Sequence, residues 1–515
     1  MHEIIHLSLS SRSNHIHSHF YNAQESYFVY DKSQVKDSYV DPSILFQQGK
    51  GYTPRAILWD MRGGFGSLAA HSGAYREQNE KGSGETDGAN NAVWNQPNLV
   101  EIRQGVIEQS QYQVNLDLGK PLPKLSASNT KYWSDYLNVY LHPKSLESLT
   151  NWEYDPVAYP NGRLRGQSST EFLSYEAGIE EYTVLDNDKE YLEITFRPFL
   201  ENCDSISGVS LSTEVHTGWG GFSSELLTQL RDDFIPRLPI FVWANQLDDN
   251  RTKISLQQQI SIIRATSKLI EHSSLYIPLS GNPHVPDDYI QERALSLADI
   301  QSPWGKAALS TTAFESLSVL SSLRHNNRVS MQTIVDEMIE GTNRNIISTV
   351  ATSISQHWID LSDVATSGTY YFKKAAIKRG PVESSSLDSI TGKVSGFGFV
   401  DSRDPWKTVE DSAANSKADV YQSYIEHVEG FDKPLEFNCP QTFNIVPSLP
   451  TDMIKSNDQL CSYFGITDTP RAQLRQMADV ISQTRLGDRE ELKEELYNTA
   501  QEYETGWISD DELDV

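Results

Sequence analysis

Strand-like apolar runs, glycine turns and helical stretches alternate along the first half of this chain. Residues 3–9 (EIIHLSL) form a β-type run, followed by a polar turn and a helix-compatible stretch over 10–24. Residues 55–60 (RAILWD) read as a second buried strand that ends in the glycine turn 63–67 (GGFGS). Residues 131–137 are aromatic and predict interior packing, and 191–199 suit a helix or a strand. Residues 208–213 (GVSLST) are strand-like and meet the glycine loop Gly218-Trp219-Gly220-Gly221. Ser223 or Ser224 then caps a helix over 223–231 carrying Leu226, Leu227 and Leu230. Residues 237–243 give a further buried strand. Strand, glycine loop, helix, strand is the alternation of a parallel sheet with covering helices.

The second half is less regular. Residues 254–272 and 330–356 predict helices, whereas 380–430 are Ser/Asp-rich and weakly periodic, as in a loop-rich segment. Pro470 opens a helix with Leu474, Met477, Val480 and Ile481 on one face, and Asp488 caps another carrying Leu492 and Leu496. Residues 76–96, rich in Gly, Asn and Glu, read as a mobile insertion, and the acidic end 509–515 as a solvated tail. The expected division is a nucleotide-binding-type domain over 1–250, a core helix and second domain over 251–379, the loop-rich segment 380–430, and a helical region over 431–515. The fold class is α/β: a Rossmann-like parallel sheet with covering helices, a second α+β domain and C-terminal helices.

Composition narrows the function. The 515 residues are 38% hydrophobic, enough for a sizeable core. Against 70 Asp and Glu stand 43 Lys and Arg, a formal charge of −27, which repels phosphate backbones and argues against direct nucleic-acid binding. Cys203, Cys439 and Cys461 are too few and scattered for a disulfide framework or Cys-rich zinc site, and a reducing compartment fits. No apolar run is long enough for a membrane span, and the first thirty residues have neither a basic n-region nor an Arg-rich presequence.

Candidate chemistry lies in the glycine loops, since a loop between strand and helix can bring backbone N–H groups to a phosphate. Such turns also occur without a ligand, and Gly63, Gly64 and Gly66 read first as a structural turn, Trp219 as a filling side chain. His15, His17 and His19, with His2 and His6 before them, lack the spacing of a zinc cluster and read as surface or capping residues. Cys203 reads as a small buried hydrophobe. No nucleophile elbow, P-loop or zinc-protease motif occurs.

Three segments carry a family resemblance. Residues 1–21 (MHEIIHLSLSSRSNHIHSHFY) resemble the opening of tubulins, 54–60 (PRAILWD) resemble their PRAILVD segment, and 201–227 (ENCDSISGVSLSTEVHTGWGGFSSELL) resemble the stretch containing their phosphate loop, each without a gap. With GGFGSL at 63–68 and GWGGF at 218–222, the combination resembles the Misato family of tubulin-related proteins. That resemblance implies a tubulin-like fold and a role in mitochondrial organisation, with partitioning of mitochondria and inheritance of mitochondrial DNA.

The departures imply altered chemistry. Ser10, Ser13 and His17 stand where tubulins carry glycines, and Arg62 stands where they carry an acid, leaving Asp60 nearby. Trp219 replaces the phosphate-binding threonine. The best approach to the hydrolysis loop, 341–345 (GTNRN), has Asn345 at the acidic position and Arg344 before it. Ser10, Arg12, Asp60, Arg62, Gly63, Gly64, Gly218, Trp219, Gly220 and Gly221 thus form a vestigial phosphate pocket, with no catalytic residue, no metal site and no required cofactor. The resemblance implies a protein that acts through protein contacts, docked on the cytosolic face of mitochondria and present in the cytoplasm, with tubulin or the cytosolic chaperonin as candidate partners. Two rival readings are a divergent GTP-binding switch in which Arg62 replaces the metal ion, and a factor in tubulin biogenesis.

Overall fold

The protein is described from a computed structural model, which covers residues 2–29, 39–49, 51–68, 107–167, 170–247, 254–324, 327–355, 357–362, 370–380, 435–455 and 458–505. The 76–96 insertion, residues 381–430 and the acidic end 509–515 lie outside the described residues.

The first sheet has seven strands: β1 (Glu3–Leu9), β2 (Ala56–Arg62), β3 (Leu146–Asp155), β4 (Tyr159–Leu164), β5 (Ile206–Glu214), β6 (Ile240–Asn245) and β7 (Leu275–Leu279). Their spatial order is β4-β3-β2-β1-β5-β6-β7, parallel except for the β3–β4 hairpin. All seven residues of β1 and all six of β6 are buried, as expected of central strands covered on both faces. The chain leaves β1 in one direction to β2 and returns on its other side as β5. That reversal places the loops after β1, β2 and β5 around one crevice at the carboxyl ends of the strands, where open α/β sheets bind ligands.

Helix α1 (Ser11–Glu25) follows β1, α2 (Tyr175–Lys189) precedes β5, α3 (Gly218–Gln229) follows it, and α4 (Leu256–His272) connects β6 to β7. Alternation along β5 separates the two layers. Thr213 bonds Ser223 on α3, whereas Ser212 shares a face with its register partner Ser8, which bonds Asn14 on α1. Helix α5 (Pro303–Ser322) packs beside α1 and is buried along nearly its whole length, so it presents mostly small or apolar residues, with the buried Glu315 as an exception.

Beyond α5 come α6 (Met331–Ile339) and a second, mixed sheet of β8 (Thr349–Ile354), β9 (His357–Asp360), β10 (Tyr371–Arg379), β11 (Leu435–Cys439) and β12 (Leu460–Thr467), ordered β9-β8-β12-β10-β11. Thr312 of α5 bonds Thr352, and Ser462 bonds the Thr312 carbonyl, so α5 lies between the two sheets. The helices α7 (Thr469–Ser482) and α8 (Arg489–Glu502) form a hairpin against α4, held by Arg264–Asp488 and Lys268–Glu495.

Several expectations are corrected. The first sheet extends past residue 250 to Leu279, because the short apolar strand β7 sits directly after α4. The 330–356 stretch is one short helix and a strand, and 431–515 supplies β11 and β12 before its helices. Helix α3 starts at Gly218, capped by Thr217, five residues before the expected serine cap. Asp488 precedes α8 but caps nothing with its side chain; it pairs with Arg264 instead.

Candidate functional site: a filled cradle at the switch point

The first loop keeps a glycine-like backbone without glycine. Ser10 has φ +105° and ψ 155°, a region that side chains rarely adopt. Its strain is offset by capping: Ser10 Oγ accepts from Ser13 N at 3.2 Å and donates to Ser13 Oγ at 3.1 Å. Ser13 and His17 lie within α1, where ordinary helical geometry removes any need for glycine. Arg12 Nη1 donates to the Gln246 carbonyl at 2.9 Å and ties α1 to the chain leaving β6.

The second loop closes over Asp60. This carboxylate is buried and accepts from Asn14 Nδ2 at 3.2 Å, Trp133 Nε1 at 2.9 Å and Met61 N at 2.8 Å. Burial pushes its pKa up to about 7, against the pull of those donors. Gly64 lies on it so closely that an added Cβ would overlap the carboxylate. Gly63 turns the chain at φ +89°, a conformation that requires glycine. Arg62 is exposed and lies opposite Glu153 in the β2–β3 register, outside the closed floor.

In the third loop the donors that would face a phosphate have protein acceptors. Gly218 N donates to the Phe172 carbonyl at 2.8 Å, Trp219 N to Thr217 Oγ1 at 3.4 Å, and Gly220 N to the Thr217 carbonyl at 3.0 Å. A Cβ on Gly218 would come within 2.6 Å of the Phe172 ring, and one on Gly220 within 2.7 Å of Ala265 Cβ. A Cβ on Gly221 would overlap the Tyr175 carbonyl, and one on Gly178 the Gly218 carbonyl. These glycines therefore let α2, α4 and Phe172 approach α3. Trp219, 2% exposed, packs edge-on against Phe172 and Phe222, each at 5.7 Å.

Acidic groups border the same space. Thr217 Oγ1 donates to Glu214 at 3.3 Å, and the Tyr154 hydroxyl bonds Ser11 within electrostatic reach of Asp60 and Glu214. A triphosphate would meet two carboxyl groups and an aromatic cover in place of converging N–H donors, so the residues present do not fit it. Phe172, Tyr154 and Trp133 escaped the sequence reading because they come from segments distant in the chain; only the aromatic density of 131–137 hinted at one of them.

The structure thus gathers Ser10, Asp60, Gly63, Gly64 and the 218–221 loop around one crevice, and leaves Arg62 exposed. His6, His15, His17 and His19 are interior rather than surface or capping residues, whereas His2 is exposed. His15 Nδ1 meets the Tyr136 hydroxyl at 2.7 Å, His17 Nδ1 donates to the Ser13 carbonyl at 3.0 Å, and His19 Nε2 donates to the Trp304 carbonyl at 3.1 Å. Among the described residues no group of three or more His, Cys, Asp or Glu is arranged to hold a metal ion. Cys203 is partly buried and donates to the Phe199 carbonyl. The 341–345 loop is a structural tie. Asn345 Nδ2 donates to the Ile270 and Ser273 carbonyls at the end of α4, and Arg344 donates to the Glu502 carbonyl. A cleft of about 650 Å³ lies away from these loops, lined by the β3–β4 hairpin, α2 and the start of α4.

Comparison with known proteins fits this architecture. Residues 2–118 match the family profile of the Misato Segment II tubulin-like domain, and residues 122–323 that of a Tubulin domain. Protein DML1 of Yarrowia lipolytica is 28% identical over 528 aligned positions, covering 100% of both chains. Protein dml1 of Aspergillus clavatus is 29% identical over 550 positions, again covering 100% of both. Protein DML1 of Coccidioides immitis is 34% identical over 331 positions, 63% of this chain and 59% of that one.

Proposed function

Because the chain belongs to the Misato family of tubulin-related proteins, we propose that it is a non-catalytic tubulin-like protein that acts through protein contacts in mitochondrial organisation. Its role is the partitioning of mitochondria and the inheritance of mitochondrial DNA. It docks peripherally on the cytosolic face of mitochondria and is also cytoplasmic, with tubulin or the cytosolic chaperonin as partner. No described helix is long and apolar enough to cross a membrane.

The observation that carries the non-catalytic reading is the third loop, where Gly218 N donates to the Phe172 carbonyl and Trp219 is buried between Phe172 and Phe222. A pseudo-GTPase of this kind keeps the architecture of the cradle and uses it as core. The mitochondrial part rests on the family resemblance. The test is rescue in cells lacking the chain. An Arg62→Glu variant, altered at an exposed cation that follows Asp60 at the end of β2, retains normal mitochondrial inheritance, and the protein on intact mitochondria is removed by added protease. Loss of inheritance by a folded Arg62→Glu protein would favour the nucleotide-switch reading, and protease protection would refute docking on the cytosolic face.

A further inference from the structure

Between the first sheet and the α1–α5 layer, the buried side-chain atoms without a hydrogen-bond partner among the described residues include His6 Nδ1, His17 Nε2, the Tyr21 hydroxyl, Ser210 Oγ, Ser212 Oγ and Trp243 Nε1. They form one neighbourhood. His6 and Ser210 are register partners on β1 and β5, and Ser8 pairs with Ser212, which pairs with Trp243 on β6. Side chains of parallel partners share a face, and the Ser8–Asn14 bond sets that face against α1. His17 of α1 stands edge-on to His6 at 5.6 Å. The Phe314 ring of α5 touches His6 at 5.7 Å, His17 at 5.1 Å and Trp243 at 4.9 Å.

The chemistry of these groups is complementary but indirect. His17 Nδ1 donates to the Ser13 carbonyl, so the neutral ring presents Nε2 as an acceptor only. The Trp243 indole N–H is a donor only, and the two serine hydroxyls can do either. Small serines beside large rings leave these neighbouring groups without direct bonds. Unpaired buried polar groups are rare in native interiors, and internal water, which both donates and accepts, is their usual partner.

We propose that this interior is a built hydration site, in which ordered water bridges His17 Nε2 to Ser210, Ser212 and Trp243. The site makes the layer between β1, β5, β6, α1 and α5 a hydrated polar core inside an aromatic shell.

The test is a crystal structure of the full chain at a resolution that shows solvent, together with side-chain NMR at neutral pH. The expected result is at least one water within hydrogen-bond distance of both His17 Nε2 and one of Ser210 Oγ, Ser212 Oγ or Trp243 Nε1. The indole proton of Trp243 should cross-relax with water, and Ser212→Val should abolish that signal. If Ser212→Val does not fold, the wild-type density and indole signal decide the question. A dry interface, or an indole N–H bonded directly to a protein acceptor, overturns the proposal.

Discussion

Lowering the pH from about 7.5 to about 5.5 should weaken the folded state by about 3 kcal/mol, a large share of a typical margin of about 5–15 kcal/mol. The perturbation acts on four buried histidines. Burial holds His15 and His19 down at about 3 and His17 at about 4, and holds His6 well below its ordinary value of 6.5. A folded pKa below the unfolded one means that this part of the stability is fully present above pH 6.5. It is lost as the pH falls toward the folded values, because only the unfolded chain takes up the protons. One unit below 6.5, each ring contributes a loss of about 1.4 kcal/mol, or about 6 kcal/mol for four.

Two carboxyls work in the opposite direction. Asp60, raised to about 7, and Asp135, raised to about 6, take up protons in the folded state over the same range. They offset about 2 and about 1 kcal/mol respectively, which leaves the net loss of about 3 kcal/mol. Urea unfolding at a series of pH values measures it, with the slope reporting a net uptake of about two protons on unfolding near pH 5.5. Equal or greater stability at pH 5.5 would refute the reasoning, since it would mean that the histidines are not held neutral in the interior.

Other substitutions test individual contacts. Arg379 on β10 and Glu315 on α5 are fully buried and paired, with Tyr27 and Gln24 also donating to the carboxylate. Arg379→Met should therefore cost about 3–5 kcal/mol in urea unfolding, and a second change, Glu315→Met, should recover most of it; a single-variant loss below about 1 kcal/mol would contradict the pairing. Ser10→Gly relieves a positive φ and should be neutral or stabilising by about 1 kcal/mol, whereas Ser10→Ala loses the cap and keeps the strain, so its unfolding midpoint should lie lower. Gly221→Ala should destabilise by about 3 kcal/mol by forcing α2 off α3, while Gly487→Ala, with open space around it, should stay within about 0.5 kcal/mol by thermal unfolding.

The central strands were legible because β1, β2, β5 and β6 are continuous apolar or small-residue runs bounded by turns. Helix α1 was harder to read. Its sequence SRSNHIHSHFYNAQE has little amphipathic pattern, yet twelve of its residues are buried, with polar side chains bonded inward to Trp59, Asp60, Tyr136 and Trp304. Histidines that alternate along a polar segment look solvated until a second layer, here α5, is known to cover them. The start of α3 was misplaced because glycine is a poor helix former, and Gly218, Gly220 and Gly221 are helical only where α2, α4 and Phe172 press against them. The crevice itself could be located from Ser10, Asp60 and Gly218. Its filling could not, because Phe172, Tyr154 and Trp133 reach it only through tertiary packing.

We propose that this packing has replaced a nucleotide in the crevice. Calorimetric titration of GTP with magnesium into the purified full chain tests it most directly. No saturable heat is expected up to about 1 mM, a free energy weaker than about −4 kcal/mol. Saturable binding at micromolar concentration, competed by GDP, would contradict it.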